Sequence, residues 1–323
     1  MNRTSTIVKY LISASTFLMV VFSAVAALAD RPSTATNPAV QRASFDRASR
    51  ELQKTVQFGR RVACAGDQVE QSISLEMRLA TSLRQGNELV ERNQTLVRSP
   101  QRRVVTTTEV DGDRITAVQV RYFEATKQIT VGEAPEPVPP AAQPVQGKTY
   151  HCRRTPGDDG KLNITDAEGQ IPPPEEFEIV AQNMEMVGRS NPLVKFLSGR
   201  TVAIGETLQL PQDFADQLFN LGKRFGHVTR FDLVLENVET HDGVPCAVFT
   251  ARVEAASSDS SQMRMQVEGP LVMQIDTCRA VRLALSGPIG MSETRGSYST
   301  AYQLIGTGQL KTSIASKYRD AKR

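Results

Sequence analysis

Tryptophan is absent from this chain of 323 residues, aromatic residues make up only 6% of it, and histidine occurs three times. A core drawn from such a sequence has to be built mainly of Val, Leu, Ile, Ala and Met. The signatures of common catalytic chemistry are missing as well: there is no G-x-S-x-G elbow, H-E-x-x-H pair, P-loop or G-x-G-x-x-G turn. His151 adjoins Cys152 in a strand pattern, where neighbouring side chains point to opposite faces and do not pair. His227 and His241 read as a strand-start and a turn residue. With neither a C-x-x-C pair nor a His-Cys cluster, a zinc centre is a worse reading of the cysteines than disulfides. The stretch "PGDDGKLNITDAEG" lacks the spacing of a calcium loop and reads as a hairpin turn. No catalytic residue, cofactor or metal is expected, and the chain is read as a non-enzyme.

Long runs of one charge are also lacking. The net charge is +3, and the Arg pairs at 60–61, 102–103 and 153–154 are dispersed, so they read as solvated edges. Nucleic acid, which demands a basic face, is not an expected partner.

What the chain does have begins at its start. Arg3 and Lys9 precede the uncharged run "YLISASTFLMVVFSAVAAL", and Ala27-Leu28-Ala29 follows. A basic region, an apolar region and an A-x-A exit describe a secretory signal peptide over residues 1–29, cut after Ala29; an uncleaved anchor is the alternative. Cleavage would bring the net charge to about +1. No later segment is apolar enough to span a membrane, so a secreted or periplasmic location is expected. In that compartment Cys64, Cys152, Cys246 and Cys278 are candidates for two disulfides, with Cys64 to Cys152 and Cys246 to Cys278 favoured among three connectivities.

Residues 30–66 form a polar segment in which Phe45, Ala48, Leu52 and Val56 have helical spacing. From Val69 the period becomes two: Ile73, Leu75, Met77 and Leu79 alternate with polar residues, as in a strand with one face on a core. A first antiparallel β half is expected over 67–170, with a hairpin at Asp111-Gly112 and a proline-rich loop at 132–147. Over 171–323, helices come first. Pro174 suits a first helical position, Glu175 and Glu176 suit the positive end of a helix dipole, and Phe177, Val180, Met184 and Val187 make an apolar stripe. A second helix carries Phe214, Leu218 and Leu221, and five antiparallel strands follow, the first two turning at Asp242-Gly243. Ala117/Ala247, Val118/Val248, Glu124/Glu254 and Ala125/Ala255 recur at a constant offset of 130, which fits an internal duplication of scaffold with no chemistry shared between the copies. The fold class is α+β, mainly antiparallel β: two curved sheets packed with a few short helices.

The stretches "GETLQLP", "HDGVPCAVF" and "DTCRAVRLALSGPI" resemble a group of uncharacterised secreted bacterial β-rich proteins, over residues 140 to 320. In architecture alone the layout is similar to the incomplete β-barrel of periplasmic lipoprotein carriers and lipid-binding lipoproteins, which implies lipid or lipoprotein handling. The expected function is a non-catalytic envelope protein with an interaction or structural role and an envelope protein as partner. The alternative is a carrier for a lipid or other apolar ligand, with a cavity lined by Leu75, Met77, Met184, Phe214 and Leu283. A cavity at those residues favours the carrier and a filled core the interaction role, while His227 meeting a carboxylate in a cleft would point to an enzyme.

Overall fold

The computed structural model describes residues 55–132, 138–155, 160–219, 226–257, 261–295 and 301–321. The expected leader with Ala27 and Ala29, and the expected helix as far as residue 54, lie outside them. Val56, assigned to that helix by its spacing, stands instead in a short strand, β1 (Thr55–Gln57). It pairs with β8 (Thr201–Ala203) as a separate two-stranded sheet. Inter-strand bonds and burial of Val56 outweigh a helical spacing made by so few residues.

The antiparallel α+β class holds, and both halves of the chain share one sheet. Its first strands are β2 (Gln68–Gln85), β3 (Glu88–Asp111), β4 (Arg114–Val131), β5 (Ala141–Ala142), β6 (Thr149–Arg154) and β7 (Leu162–Asp166). Three helices follow: α1 (Pro174–Asn183), α2 (Pro192–Leu197) and, after β9 (Thr207–Gln209), α3 (Gln212–Phe219). The chain then runs through β10 (His227–His241), β11 (Val244–Ala256), β12 (Ser261–Gln274), β13 (Ala280–Arg295) and β14 (Tyr302–Arg319). The spatial order is β7-β6-β4-β3-β2-β14-β13-β12-β11-β10-β9, with β5 on β4, giving 12 strands. Two meanders therefore step in the same direction across one sheet, and the last strand comes to lie beside the first. Short strands at both ends limit the exposed edges.

Each meander contains the hairpin expected from its Asp-Gly pair. Gly112 and Gly243 take positive φ of 59° and 79°, and Asp242 itself takes 51°, the left-handed conformations that such turns demand. β3 is one strand of 24 residues, joining the polar stretch "ELVERNQTLVRS" to the β-branched stretch "RRVVTTTEV", which read as two strands from sequence alone. Pro100 sits inside it, opposite Ser74 of β2 and in a gap of the β3–β4 register between Arg98 and Gln101.

Alternation assigns the inner face. Ile73, Leu75, Met77 and Leu79 join residues of β10 to β14, α2 and α3 in a large core, and Phe58 closes over it. A smaller core joins Val118, Val120, Tyr122 and Tyr150 of β4 and β6 to Val180 and Met184. The apolar stripe of α1 is what faces this second core. The proline-rich strap is pinned at its C-terminal end: Ala141 and Ala142 pair with Lys127 and Thr126, and Val145 is buried. No helix among the described residues is long and apolar enough to cross a membrane.

The disulfide expectation is corrected, because all four cysteines are free thiols. Cys246 is on β11 and Cys278 is in the turn between β12 and β13, so β12 intervenes at the level of the sheet. Their thiols also turn to different acceptors, the Val244 carbonyl and the Gly59 carbonyl. Cys152 is buried in the smaller core, whereas Cys64 stands in the partly exposed segment before β2. Burial pushes the Cys152 and Cys278 thiols up to about 12, so neither is a ready thiolate. Denatured without reductant, the protein is expected to present four thiols to a thiol reagent, and in the native state Cys64 alone should react promptly. A count of two or none in denaturant would contradict this arrangement.

Candidate functional site

The inner face of β3 carries Thr95, Ser99, Gln101 and Arg103, all buried. Polar groups withdrawn from water need partners, and a charge needs them most. Most find one. The Ser99 hydroxyl donates to the Thr126 carbonyl at 3.2 Å and accepts from Gln143 Nε2 at 3.1 Å. Tyr122 accepts a hydrogen bond from Asn183 Nδ2 at 3.2 Å, which joins β4 to the last residue of α1.

Thr95 Oγ1 has no partner among the described residues, and Arg103 is satisfied in part. Its side chain is 0% exposed. Nε donates to Gln71 Oε1 at 3.0 Å and Nη1 to Gln101 Oε1 at 3.3 Å, while Nη2 has no protein partner, nor has Gln101 Nε2. These two partners are neutral amides, and the Tyr122 hydroxyl adds a further side-chain hydrogen bond. Tyr122 and Cys152 lie close enough to influence it, but burial pushes the phenol and the thiol each up to about 12, and neither supplies a negative charge. Burial pulls the guanidinium itself below its usual value. The Arg102-Arg103 pair is thus not a solvated edge: Arg102 lies against the ring of Phe123 on the outer face, and Arg103 points inward.

Beside this cluster is a cavity of about 80 Å³ between β2, β3, β4 and the C-terminal end of α1. Gln71, Arg103 and Asn183 line it on the polar side, and Val105, Met184 and Val187 on the apolar side. A second arginine in its wall, Arg279, is already engaged. It bridges to Asp67 at 3.4 Å and Asp320 at 2.7 Å and stacks on Tyr318.

The position of α1 depends on one carboxylate. Glu176 is buried in its first turn and accepts from Tyr150 Oη at 2.6 Å and Lys148 Nζ at 2.6 Å. Burial raises its pKa, but the hydrogen bonds and charge of Lys148 and Tyr150 outweigh that and hold it below the ordinary value of 4.5. A depressed folded value means the stabilisation is complete above the unfolded value and is lost as pH falls through the folded one. Glu176→Gln is expected to lower the urea midpoint at pH 7, with the gap from wild type closing as the pH falls through the depressed folded value. A gap that stays constant across that range would remove Glu176 from this role.

The residues expected to line an apolar cavity are dispersed. Leu75, Met77 and Leu283 are buried in the large core, Phe214 packs on its margin, and Met184 belongs to the smaller core and to the wall of the cavity described here. Among the histidines, His227 Nδ1 lies 3.3 Å from Asp216, on an exposed surface. No cluster of metal-ligating side chains occurs among the described residues. Arg103 was missed because a polar inner face has the alternation of a solvent face. The usable signal is its parity with Val97 and Val105.

Compared with known protein families and with curated proteins, the sequence has no match. Among solved structures it is similar to lipovitellin, described for its lipid-protein interactions, with 9% identity over 80% of this chain and a TM-score of 0.40. The chain spans 26% of the length of that protein. It is also similar to the outer membrane protein OprG from Pseudomonas aeruginosa, at 7% identity over 80% of this chain and 99% of that one, TM-score 0.16. A LolA superfamily protein from Nitrosomonas europaea matches at 11% identity over 77% of this chain and 87% of that one, TM-score 0.13. At these scores the likenesses do not bear on ligand or activity.

Proposed function

We propose that the chain is a non-catalytic, extracytoplasmic binding protein whose ligand seats in the cavity between β3 and α1. The observation that supports this reading is the cavity itself, whose wall sets Gln71, Arg103 and Asn183 beside Val105, Val118, Met184 and Val187. A recess that sets polar side chains beside an apolar wall is a usual form of small-molecule site. The extracytoplasmic location rests on the leader read at 1–29. Purification from the native host without detergent, solvent extraction and mass spectrometry should find a stoichiometric small molecule, and Val118→Phe, which fills the cavity, should abolish its retention. A protein that emerges free of any small molecule and takes none up would overturn the reading.

A second reading, an envelope protein acting through its surface, is favoured by the large core, which is packed around Leu75, Met77 and Leu283. It predicts a protein partner retained by wild type and by Val118→Phe alike.

A further inference from the structure

We infer that the outer face of the sheet, on the side away from the cavity, docks on a membrane surface rich in anionic phospholipid. Cross-strand partners point to the same side of a sheet, so the ladders identify the side chains that share this face. One row runs Lys317, Glu70, Val104, Arg121 from β14 to β4, and the next runs Arg282, Ala315, Ser72, Arg102 from β13 to β3. Two rows further along, Lys311 stands opposite Glu76, and Glu76 opposite Arg98. All six of these basic residues are exposed.

The chain has a net charge of only +3, yet this face is one-sided. Glu76 is shared by Arg78 at 2.9 Å and Arg98 at 3.0 Å, and Glu70 is 4.0 Å from Arg319. That leaves Arg102, Arg121, Arg282, Lys311 and Lys317 with no carboxylate at ion-pair distance among the described residues. At about 4.8 Å between strands and about 6.6 Å between alternate residues, the five cations spread over roughly 20 Å by 20 Å. The face between them is built of Ser72, Ser74, Ser313, Ala284 and Ala315, so no tall side chain keeps a flat partner at a distance. Cations dispersed in two dimensions over such a floor fit a plane of phosphates, which guanidinium groups engage directly.

Phe123 gives the face its apolar element. The β3–β4 register shifts between Arg102, opposite Glu124, and Arg103, opposite Tyr122, so Phe123 is the extra residue of a bulge, a device that re-aims a side chain. Its ring is 42% exposed, the one aromatic among the exposed large apolar side chains of the described residues. The guanidinium carbons of Arg121 and Arg102 lie 5.0 and 5.5 Å from its centroid, within cation–π range. An apolar ring surrounded by cations is complementary to the headgroup boundary of a bilayer, where phosphate lies beside acyl chain. An acidic peptide would engage the cations and leave the ring in water.

The test is flotation of the full chain, as purified from its native host, with vesicles of phosphatidylcholine alone and with vesicles holding about one third phosphatidylglycerol. Binding to the anionic vesicles should exceed binding to the neutral ones at least tenfold at about 0.1 M salt, and should be lost at about 1 M, where the screening length falls to about 3 Å. Each cation near an anionic surface contributes about fivefold to partitioning. Arg102→Gln/Arg121→Gln should therefore weaken binding at least tenfold with little change in Tm, and Phe123→Ala should weaken it severalfold. If the arginine double variant does not fold, Lys311→Gln/Lys317→Gln takes its place with the same expected loss. Lys195→Gln/Arg200→Gln removes the same charge from α2 and the turn after it, and should bind as wild type does. Equal binding to neutral and anionic vesicles, or a loss in this control equal to that in the sheet variants, would overturn the inference. Undiminished binding by the sheet variants would overturn it too, and so would a higher affinity for polyglutamate than for anionic vesicles, which would make the partner an acidic chain. The cavity is on the other side of the sheet, so each of these results leaves the proposed binding function as it stands.

Discussion

Asp67→Ala is expected to destabilise the protein by about 3–5 kcal/mol, the cost typical of removing one partner from a buried ion pair. Asp67 immediately precedes β2 and is 5% exposed. Its carboxylate accepts from the Cys64 amide at 3.0 Å, the Ala321 amide at 2.9 Å, Arg61 Nη2 at 3.2 Å and Arg279 Nη2 at 3.4 Å. Those donors come from three places: the segment before β2, the residues just past β14, and the turn between β12 and β13. One side chain thus fastens the site where the first and last long strands meet. Their ladder, from Gln68↔Arg319 to Gln85↔Tyr302, is the contact that joins the two meanders. Deleting the carboxylate leaves Arg279 buried with only Asp320, which is 56% exposed, and leaves two amides unpaired. At roughly 2–4 °C per kcal/mol for a protein of this size, the melting temperature should fall by on the order of 10 °C. Arg319→Ala is the control. Its ion pair with Glu70 is at the surface at 4.0 Å, and its loss should cost less than about 1 kcal/mol. A Tm of Asp67→Ala within experimental error of that control would show that the clasp contributes nothing.

That clasp also marks the limit of what local sequence encodes. The alternation of Ile73, Leu75, Met77 and Leu79 with polar residues identified a face that is indeed buried, because period two is a property of a single strand. Asp111-Gly112 and Asp242-Gly243 identified their hairpins because the turn requires left-handed backbone at those positions. The stripe of Val180, Met184 and Val187 identified the buried side of α1 and of the turn that follows it for an equally local reason. None of these signals says that β14 pairs with β2. That pairing joins residues more than two hundred positions apart, and no neighbouring residue reports it. The cysteine pairs were inferred from compartment and count, and strand lanes decided otherwise. The candidate site was hidden for a third reason. Arg103 beside Arg102 looks like surface charge until the parity of β3 is known, and that parity was obscured by reading the strand as two pieces separated near Pro100.

The large core should be most sensitive at Phe249, which is fully buried on the inner face of β11 between Leu235 and Leu271 in the ladder. Its ring stacks on Phe58 with centroids 5.8 Å apart and planes at 25°. With no tryptophan in the chain, this pair supplies aromatic area that the aliphatic residues around it cannot replace. Phe58 is itself held by backbone: its N–H donates to Arg200, its carbonyl accepts from Gly199, and the next amide donates to Ile275. The ring stack therefore secures the segment after β1 across the sheet as well as filling space. Phe249→Ala removes the ring and leaves a cavity that such a pinned neighbour cannot collapse into, so the loss should fall at about 3–5 kcal/mol. Phe249→Leu, which keeps most of the volume, should cost less than half as much. Phe123→Ala should change stability little, because that ring is on the outer face and 42% exposed. Chemical denaturation of the three variants checks the order. If Phe249→Leu were as damaging as Phe249→Ala, the aromatic stack rather than the filled volume would be the dominant contribution, and Phe58→Leu should then reproduce the loss.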